Sequence, residues 1–100
     1  YITDYSFLSE KSNIDIYISG HTHIQKQVKG KACQYLNPGS IGQPRDKDPK
    51  AAFAIIKDDG CVELKRVEYN IDYIFEKMKS CGFEDRISSC LYKGVKIGED

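Results

Sequence analysis

The sequence has no excess of charge of either sign, since 15 Lys and Arg residues balance 15 Asp and Glu residues. A balanced charge gives no electrostatic case for binding nucleic acid or an anionic membrane surface. The sequence also lacks any apolar run near the ~20 residues that a membrane helix needs, and no signal-peptide pattern opens it. We therefore expect one small cytoplasmic domain with a modest core, with no nucleic acid and no membrane as partner.

The four cysteines, Cys33, Cys61, Cys81 and Cys90, include no pair at CxxC spacing. An even number can form disulfides, but nothing in the chain indicates a secretory context. Each falls where an apolar residue is expected in a strand or helix, so we predict reduced and mostly buried thiols. A Cys/His zinc site is the weaker alternative, because no cysteine lies at ligand spacing from a histidine.

Hydrophobic patterning predicts a helix, about five strands and then two helices. The expected elements are a short helix capped by Thr3 over residues 4–11, strands at 14–18, 25–28, 32–36, 51–56 and 61–69, a helix between Asn70 and Gly82, and a helix over 84–92 that stops at Gly94. Only the first helix–strand step suggests a parallel unit, and the rest reads as an antiparallel meander. The alternation in the last strand slips at Lys65-Arg66, which predicts a β-bulge or a switch of face.

Only two histidines occur, His21 and His23, and they lie one residue apart after the apolar run at 14–18. In an extended segment, side chains at i and i+2 point to one side, so both imidazoles could face one object. Imidazole is the commonest metal ligand in proteins. Gly20 would allow a sharp turn, and Thr22 could bond the local backbone. The alternative is a solvated polar loop, because two ligands alone make no closed site.

A second distinctive stretch, NPGSIGQPRD at 37–46, combines turn residues with a cation. Gly39 and Gly42 permit a positive φ, and backbone N–H groups around Ser40 could form an anion-binding nest. Arg45 could clamp a phosphate with two donors. The alternative is an ordinary surface loop whose Arg45 pairs with Asp46 or Asp48.

GHTH at 20–23, the strand pair that follows, NPGSIGQPRD and AAFAII together resemble the C-terminal half of a calcineurin-like metallophosphoesterase of the small bacterial and archaeal type. The resemblance covers roughly residues 13–94. It implies an α/β (α+β) fold, namely the C-terminal half of a four-layer α/β/β/α sandwich, with a mostly antiparallel meander and two C-terminal helices. It also implies a dinuclear metal centre at the strand ends.

The same resemblance implies a role for each matched residue. His21 would bind one metal ion and His23 the other, while Gly20 and Thr22 would hold the turn. The matched residues Asn37, Pro38, Gly39 and Ser40 would lie near the site, and Arg45 would contact the phosphate. The implied cofactors are two divalent ions (Mn, Fe, Zn, Co or Ni) that activate a hydroxide to hydrolyse a phosphomonoester or phosphodiester substrate.

The chain lacks the family's Asp-x-His, Gly-Asp and Gly-Asn-His motifs and its further lone His, and it does not begin with Met. We therefore expect the C-terminal part of a longer enzyme, with the missing N-terminal half as its partner. No catalytic residue is assigned within the chain, because the general acid would lie upstream. Alone, the chain should be inactive, bind metal weakly or partially, and self-associate through its exposed sheet. The alternatives are a non-catalytic binding or scaffold relative, or an unrelated His-pair metal-binding protein completed by a symmetry mate.

Overall fold

The computed structural model describes residues 2, 4–10 and 13–99. Its elements are a 3-10 helix at Ser6–Ser9, the strands β1 (Ile16–Ile18), β2 (Lys26–Lys29), β3 (Gln34–Asn37), β4 (Ala51–Ile56) and β5 (Val62–Val67), the helices α1 (Ile71–Ser80) and α2 (Asp85–Ser88), and a second 3-10 helix at Ser89–Tyr92. All five predicted strands are confirmed, and the ends of all but β4 are shifted. The first predicted helix is shorter than expected, and its predicted cap, Thr3, and last residue, Lys11, lie outside the described residues.

The first three strands form one sheet in the order β1-β3-β2. β3 pairs with β1 in parallel and with β2 antiparallel. The antiparallel meander is therefore found for β2–β3 and β4–β5, while β1, in the step that suggested a parallel unit, lies next to β3 in parallel. This parallel pair positions the site: Ile18 lies opposite Leu36, so the segments that follow the two strands leave the same edge of the sheet. Those segments are the histidine turn (residues 20–23) and the NPGS loop (residues 37–46).

β4 and β5 form a separate two-stranded hairpin around the turn at Asp58-Asp59-Gly60. Its register is continuous, with Phe53 opposite Lys65 and Ala52 opposite Arg66. The predicted bulge is absent from this pair, and the slipped alternation is a switch of face. Arg66 therefore shares a face with Leu64, where the period of two would have placed an apolar residue.

A small core lies between the first 3-10 helix and the three-stranded sheet. Leu8, Cys33 and Tyr35 are buried there, with partly buried aromatic neighbours around them. All four cysteines are free, as predicted, but only Cys33 and Cys90 are buried. The expectation of mostly buried thiols is therefore only half right.

The C-terminal helices pack mainly against each other. Asn70 caps α1 as predicted, because its Oδ1 accepts a hydrogen bond of 3.0 Å from the Tyr73 N–H. Tyr92 donates to Asp72 and ties the second 3-10 helix to α1. None of the residues in α1 is buried, so its apolar stripe is only partly covered. Within the described ranges, every helix is too short or too polar to cross a membrane.

Candidate metal centre

Asn37, the last residue of β3, joins the histidine turn to the NPGS loop. Its side-chain N–H donates to Thr22 Oγ1 at 2.9 Å, and its Oδ1 accepts from the Gly39 N–H at 3.0 Å. Asn37 is only 2% exposed, so both bonds form where water competes little. The structure therefore brings together Thr22, Asn37 and Gly39.

The histidine turn is not extended. His21 has φ 75° and His23 has φ 61°, and the Thr22 N–H donates to the Gly20 carbonyl at 2.9 Å. The prediction of an extended segment at residues 21–23, with both side chains on one side as in a strand, is therefore wrong. Gly20 does not have a positive φ, and the left-handed conformation falls on the two histidines instead. That conformation costs an ordinary L-residue about 1–2 kcal/mol, and such strain is concentrated at functional sites.

The orientation of His23 is fixed by Gln43. Nδ1 of His23 lies 2.8 Å from the Gln43 carbonyl oxygen. A carbonyl oxygen only accepts hydrogen bonds, so the ring nitrogen that faces it must carry the proton. In the neutral ring, Nε2 then keeps its lone pair. Metal-binding histidines usually have this arrangement, with the non-ligating nitrogen donating to a carbonyl or carboxylate.

Ser40 holds Gln43 in place. Its Oγ accepts from the Gln43 N–H at 2.8 Å, and its carbonyl accepts from the Ala52 N–H at 2.9 Å. Gly39 has φ 88°, and a Cβ there would lie 2.9 Å from the Cβ of Ala52. The loop therefore packs tightly on β4, and the Gly39 N–H is already bonded to Asn37 rather than open to an anion. Glycine would permit a positive φ at position 42, but Gly42 does not adopt one.

Arg45 lies beside His23, held by its backbone. The Arg45 N–H donates to the His23 carbonyl at 2.9 Å. Its Nη2 donates to Gln43 Oε1 at 3.3 Å. The proposed alternative partners, Asp46 and Asp48, form ion pairs with Arg66 instead. The pairing expected for an ordinary surface loop is therefore wrong.

Sequence reasoning missed four residues that build this site: Gln25, Gln43, Asp46 and Arg66. Gln43 and Asp46 are part of the GQPRD stretch, but their local spacing reveals no role. Arg66 did leave a trace, because it interrupts the alternation of β5 on the face of Leu64. The slip predicts a bulge or a switch of face, but it does not reveal that the charged side chain of Arg66 is directed at the NPGS loop.

In the part of the chain that the structure describes, no group of three or more His, Cys, Asp or Glu side chains could hold a metal ion. Among these described residues, His21 and His23 thus lie without a third such side chain that would complete a metal site. A shallow pocket of about 270 Å³ borders the histidine turn through Thr22 and Asn37. A larger crevice of about 420 Å³ lies at the opposite end of the strands, and its lining includes Asp15, Gly30 and Gly60 but neither histidine. The strained backbone and the oriented imidazole both lie at the histidine turn, which is therefore the candidate site.

Solved structures share this fold. A metallophosphoesterase from Sphaerobacter thermophilus superposes with a TM-score of 0.72 at 27% sequence identity, over 84% of this chain and 44% of that one. The hypothetical protein PH1004 from Pyrococcus horikoshii superposes with a TM-score of 0.71 at 24% identity, over 82% of this chain and 33% of its own. The mixed α+β fold with small sheets and two helices, expected from the resemblance, is confirmed.

Sequence comparison agrees. MJ0912 of Methanocaldococcus jannaschii, an uncharacterised protein, is 32% identical over 87 residues, which make up 86% of this chain and 34% of MJ0912. The chain thus spans about a third of that curated relative. A model of the calcineurin-like phosphoesterase superfamily domain matches residues 3–59, more than half of the sequence. The chain belongs to the calcineurin-like phosphoesterase superfamily.

Proposed function

We propose that the protein carrying this chain is a metal-dependent hydrolase of phosphate esters, and that His21 and His23 are two of its metal ligands. The observation that carries the proposal is the bond between His23 Nδ1 and the Gln43 carbonyl. It selects the tautomer that directs a free lone pair from Nε2. Family membership supplies the reaction class, which the histidine geometry alone would leave open.

The surrounding residues support this role by fixing the backbone. Thr22 Oγ1 accepts from both Asn37 and the Ile24 N–H, so the strained turn is braced from two sides. Gly39 and Ser40 keep Gln43 within reach of His23, while Gly20 supplies the carbonyl that closes the turn. These bonds preorganise the ligands before a metal arrives.

Arg45 is the candidate for binding the phosphate group of the substrate. Its backbone N–H fixes it next to His23, and the residue is half-buried. A guanidinium offers two parallel donors to a phosphoryl group. In this proposal Arg45 orients the substrate and stabilises its charge, and it neither donates nor takes a proton.

Neutral imidazole suits Mn, Fe, Zn, Co and Ni alike. Two divalent ions, when bound, would polarise the phosphoryl group and lower the pKa of a water molecule. The remaining ligands and the general acid would come from an N-terminal half, since the described residues contain no group of three or more side chains that could hold a metal ion. A substrate class finer than phosphate ester does not follow from these residues.

Exposed apolar surface supports a missing partner half. Ile18 is 60% exposed on the edge strand β1, and Ile56 and Leu64 are exposed on the hairpin face that Arg66 shares. The radius of gyration is 16.3 Å, against about 13 Å for a compact domain of this length. Both features fit a sheet that an additional layer would cover.

The first test is calorimetric titration of Zn²⁺ and Mn²⁺ into the 100-residue chain. We expect micromolar or weaker binding that the double variant His21→Asn/His23→Asn abolishes. Asp58→Asn, at the exposed hairpin turn, is the matched control and should bind as the wild type does. Binding that survives in the double variant would overturn the ligand assignment. Tight binding of two ions by the monomer would overturn the need for a second half.

The second test concerns the reaction. The native protein, captured from its source cell with an antibody to this chain, should exceed 11.4 kDa and hydrolyse p-nitrophenyl phosphate or bis(p-nitrophenyl) phosphate when loaded with Mn²⁺. Loss of hydrolysis in the same double variant would support the proposal. A metal-loaded protein that hydrolyses neither compound, with the upstream motif carboxylates replaced, would favour the non-catalytic binding or scaffold alternative instead.

A further inference from the structure

Arg66 is a half-buried cation that reaches from β5 to the segments around the histidine turn. Its Nε donates to Gln25 Oε1 at 3.1 Å, its Nη1 donates to the Lys50 carbonyl at 3.0 Å, and its Nη2 pairs with Asp46. The side chains of Arg66 and Asp46 are 19% and 16% exposed. All three guanidinium nitrogens are therefore bonded, which fixes the orientation of the group rather than leaving it solvated.

Asp46 connects this cation to the histidine turn. Its Oδ2 also accepts from the Gln25 N–H at 3.2 Å. Two further bonds join the same pair of segments, from the Arg45 N–H to the His23 carbonyl and from His23 Nδ1 to the Gln43 carbonyl. Residues 23–25 and 43–46 thus form one paired unit, and Asp46 is the point at which Arg66 holds it.

The side chain of Gln25 strengthens the same junction. Its Nε2 lies 3.1 Å from the carbonyl oxygens of both Phe53 and Lys65, which are cross-strand partners in the β4–β5 hairpin. The paired unit is therefore attached to both strands of the hairpin. Gln25 and Arg66 are 41 residues apart in sequence, so only the folded chain brings them together.

The length of the His23–Gln43 bond depends on where residues 43–46 lie. Without Arg66, the carboxylate of Asp46 would remain half-buried next to uncharged donors only. Leaving one member of such a pair unpaired is costly, so we expect the segment to shift towards water. A shift of the order of 1 Å would stretch the bond to Gln43 beyond hydrogen-bond length.

We propose that Arg66 is a positioning residue that acts through Asp46 to fix the tautomer of His23, and thereby determines which ring nitrogen is presented to the metal. The tautomer is a property of the chain without metal, whereas its consequence for metal binding rests on the proposed function. No contact of Arg66 with substrate or metal is implied.

The test compares Arg66→Gln and Arg66→Lys with the wild-type 100-residue chain. Arg86→Gln is the matched control, because Arg86 pairs with Glu84 on the surface with both side chains mostly exposed. Long-range ¹H–¹⁵N spectra, recorded about two pH units above the ordinary imidazole pKa, report the tautomer of His23. Zn²⁺ titration reports affinity.

We expect the Nδ1–H tautomer in the wild type and in Arg86→Gln, a mixture of tautomers in Arg66→Gln, and an intermediate result in Arg66→Lys, which keeps the charge. The Zn²⁺ affinity of Arg66→Gln should fall about tenfold. A folded Arg66→Gln chain that keeps the Nδ1–H tautomer and wild-type affinity would overturn the proposal.

A measurement on the wild type applies even if the variants do not fold. The Arg66 Nε–H should exchange with water far more slowly than the Arg86 Nε–H, and equal rates would overturn the proposal. The two proposals fail separately. If Arg66→Gln disturbs the tautomer but the wild-type chain binds no Zn²⁺, the positioning role stands and the weak binding predicted for His21 and His23 in this chain is wrong.

Discussion

The carbonyl oxygen of Gln43 lies 2.8 Å from Nδ1 of His23, although the two residues are 20 positions apart. The contact forms because β1 and β3 are parallel, so that the histidine turn and the NPGS loop leave the same edge of the sheet. The contact favours one of the two neutral tautomers of His23, the one that carries its proton on Nδ1. In the neutral ring, Nε2 of His23 therefore carries the lone pair.

Gly39→Ala should destabilise the chain by about 2 kcal/mol or more, because the new Cβ would meet Ala52 at 2.9 Å and φ is 88°. Gly42→Ala is the control, since a Cβ at that position would have no atom within 4 Å. It should be neutral or slightly stabilising. Urea unfolding followed by circular dichroism measures both. Equal midpoints for the two variants would contradict the packing described for Gly39.

Asn37→Ala should cost about 2–3 kcal/mol, because it leaves the Gly39 N–H without its acceptor and removes the donor to Thr22 in a buried place. Asn37→Asp should also destabilise, since it keeps the acceptor but loses the donor and buries a charge. Asn13→Ala, at an exposed position, should change stability by less than about 0.5 kcal/mol. If Asn37→Ala and Asn37→Asp also unfold at the wild-type midpoint, the hydrogen bonds of Asn37 do not stabilise the contact between the two loops.

The tie between the second 3-10 helix and α1 should weaken at high pH. The hydrogen bond to Asp72 raises the pKa of Tyr92 from 10.0 to about 12. Because the folded state holds this proton more tightly than the unfolded state, the bond contributes stability below about pH 10 and loses it as the pH rises towards 12.

Tyr92→Phe should therefore be less stable than the wild type near pH 8 and equal to it near pH 12, in urea unfolding at each pH. Tyr73→Phe is the control, because Tyr73 is an exposed tyrosine on α1. An ultraviolet titration in which Tyr92 ionises near its ordinary pKa would contradict the bond to Asp72.

The isolated chain should self-associate in a concentration-dependent manner, because the hairpin face of Ile56 and Leu64 is apolar and exposed. The double variant Ile56→Lys/Leu64→Lys should shift sedimentation velocity profiles towards monomer. Ile97→Lys, which removes a similarly exposed isoleucine near the C-terminus, should leave the association unchanged. A clean wild-type monomer at high concentration would argue against the covered-sheet interpretation.

The order and type of the main elements could be predicted from the sequence, because they depend on local periodicity. The apolar run Ala51–Ile56, the Asp58-Asp59-Gly60 turn and the Asn70 cap each specify their own conformation within a few residues. The histidine pair could also be identified as a candidate site, but only together with the NPGSIGQPRD stretch, since two histidines alone fit a solvated polar loop equally well. The first helix was overestimated, because a few apolar residues do not distinguish a 3-10 turn from an α-helix.

Only the tertiary structure decided how that site is built. The positive φ of His21 and His23, the tautomer of His23 and the role of Arg66 depend on partners about 15 to 40 residues away. No local pattern encodes such contacts, because they arise only when the parallel pair β1–β3 and the β4–β5 hairpin place three distant segments at one edge. The sequence by itself thus determined the main elements and the candidate residues, while the packing of the two sheets determined the geometry of those residues.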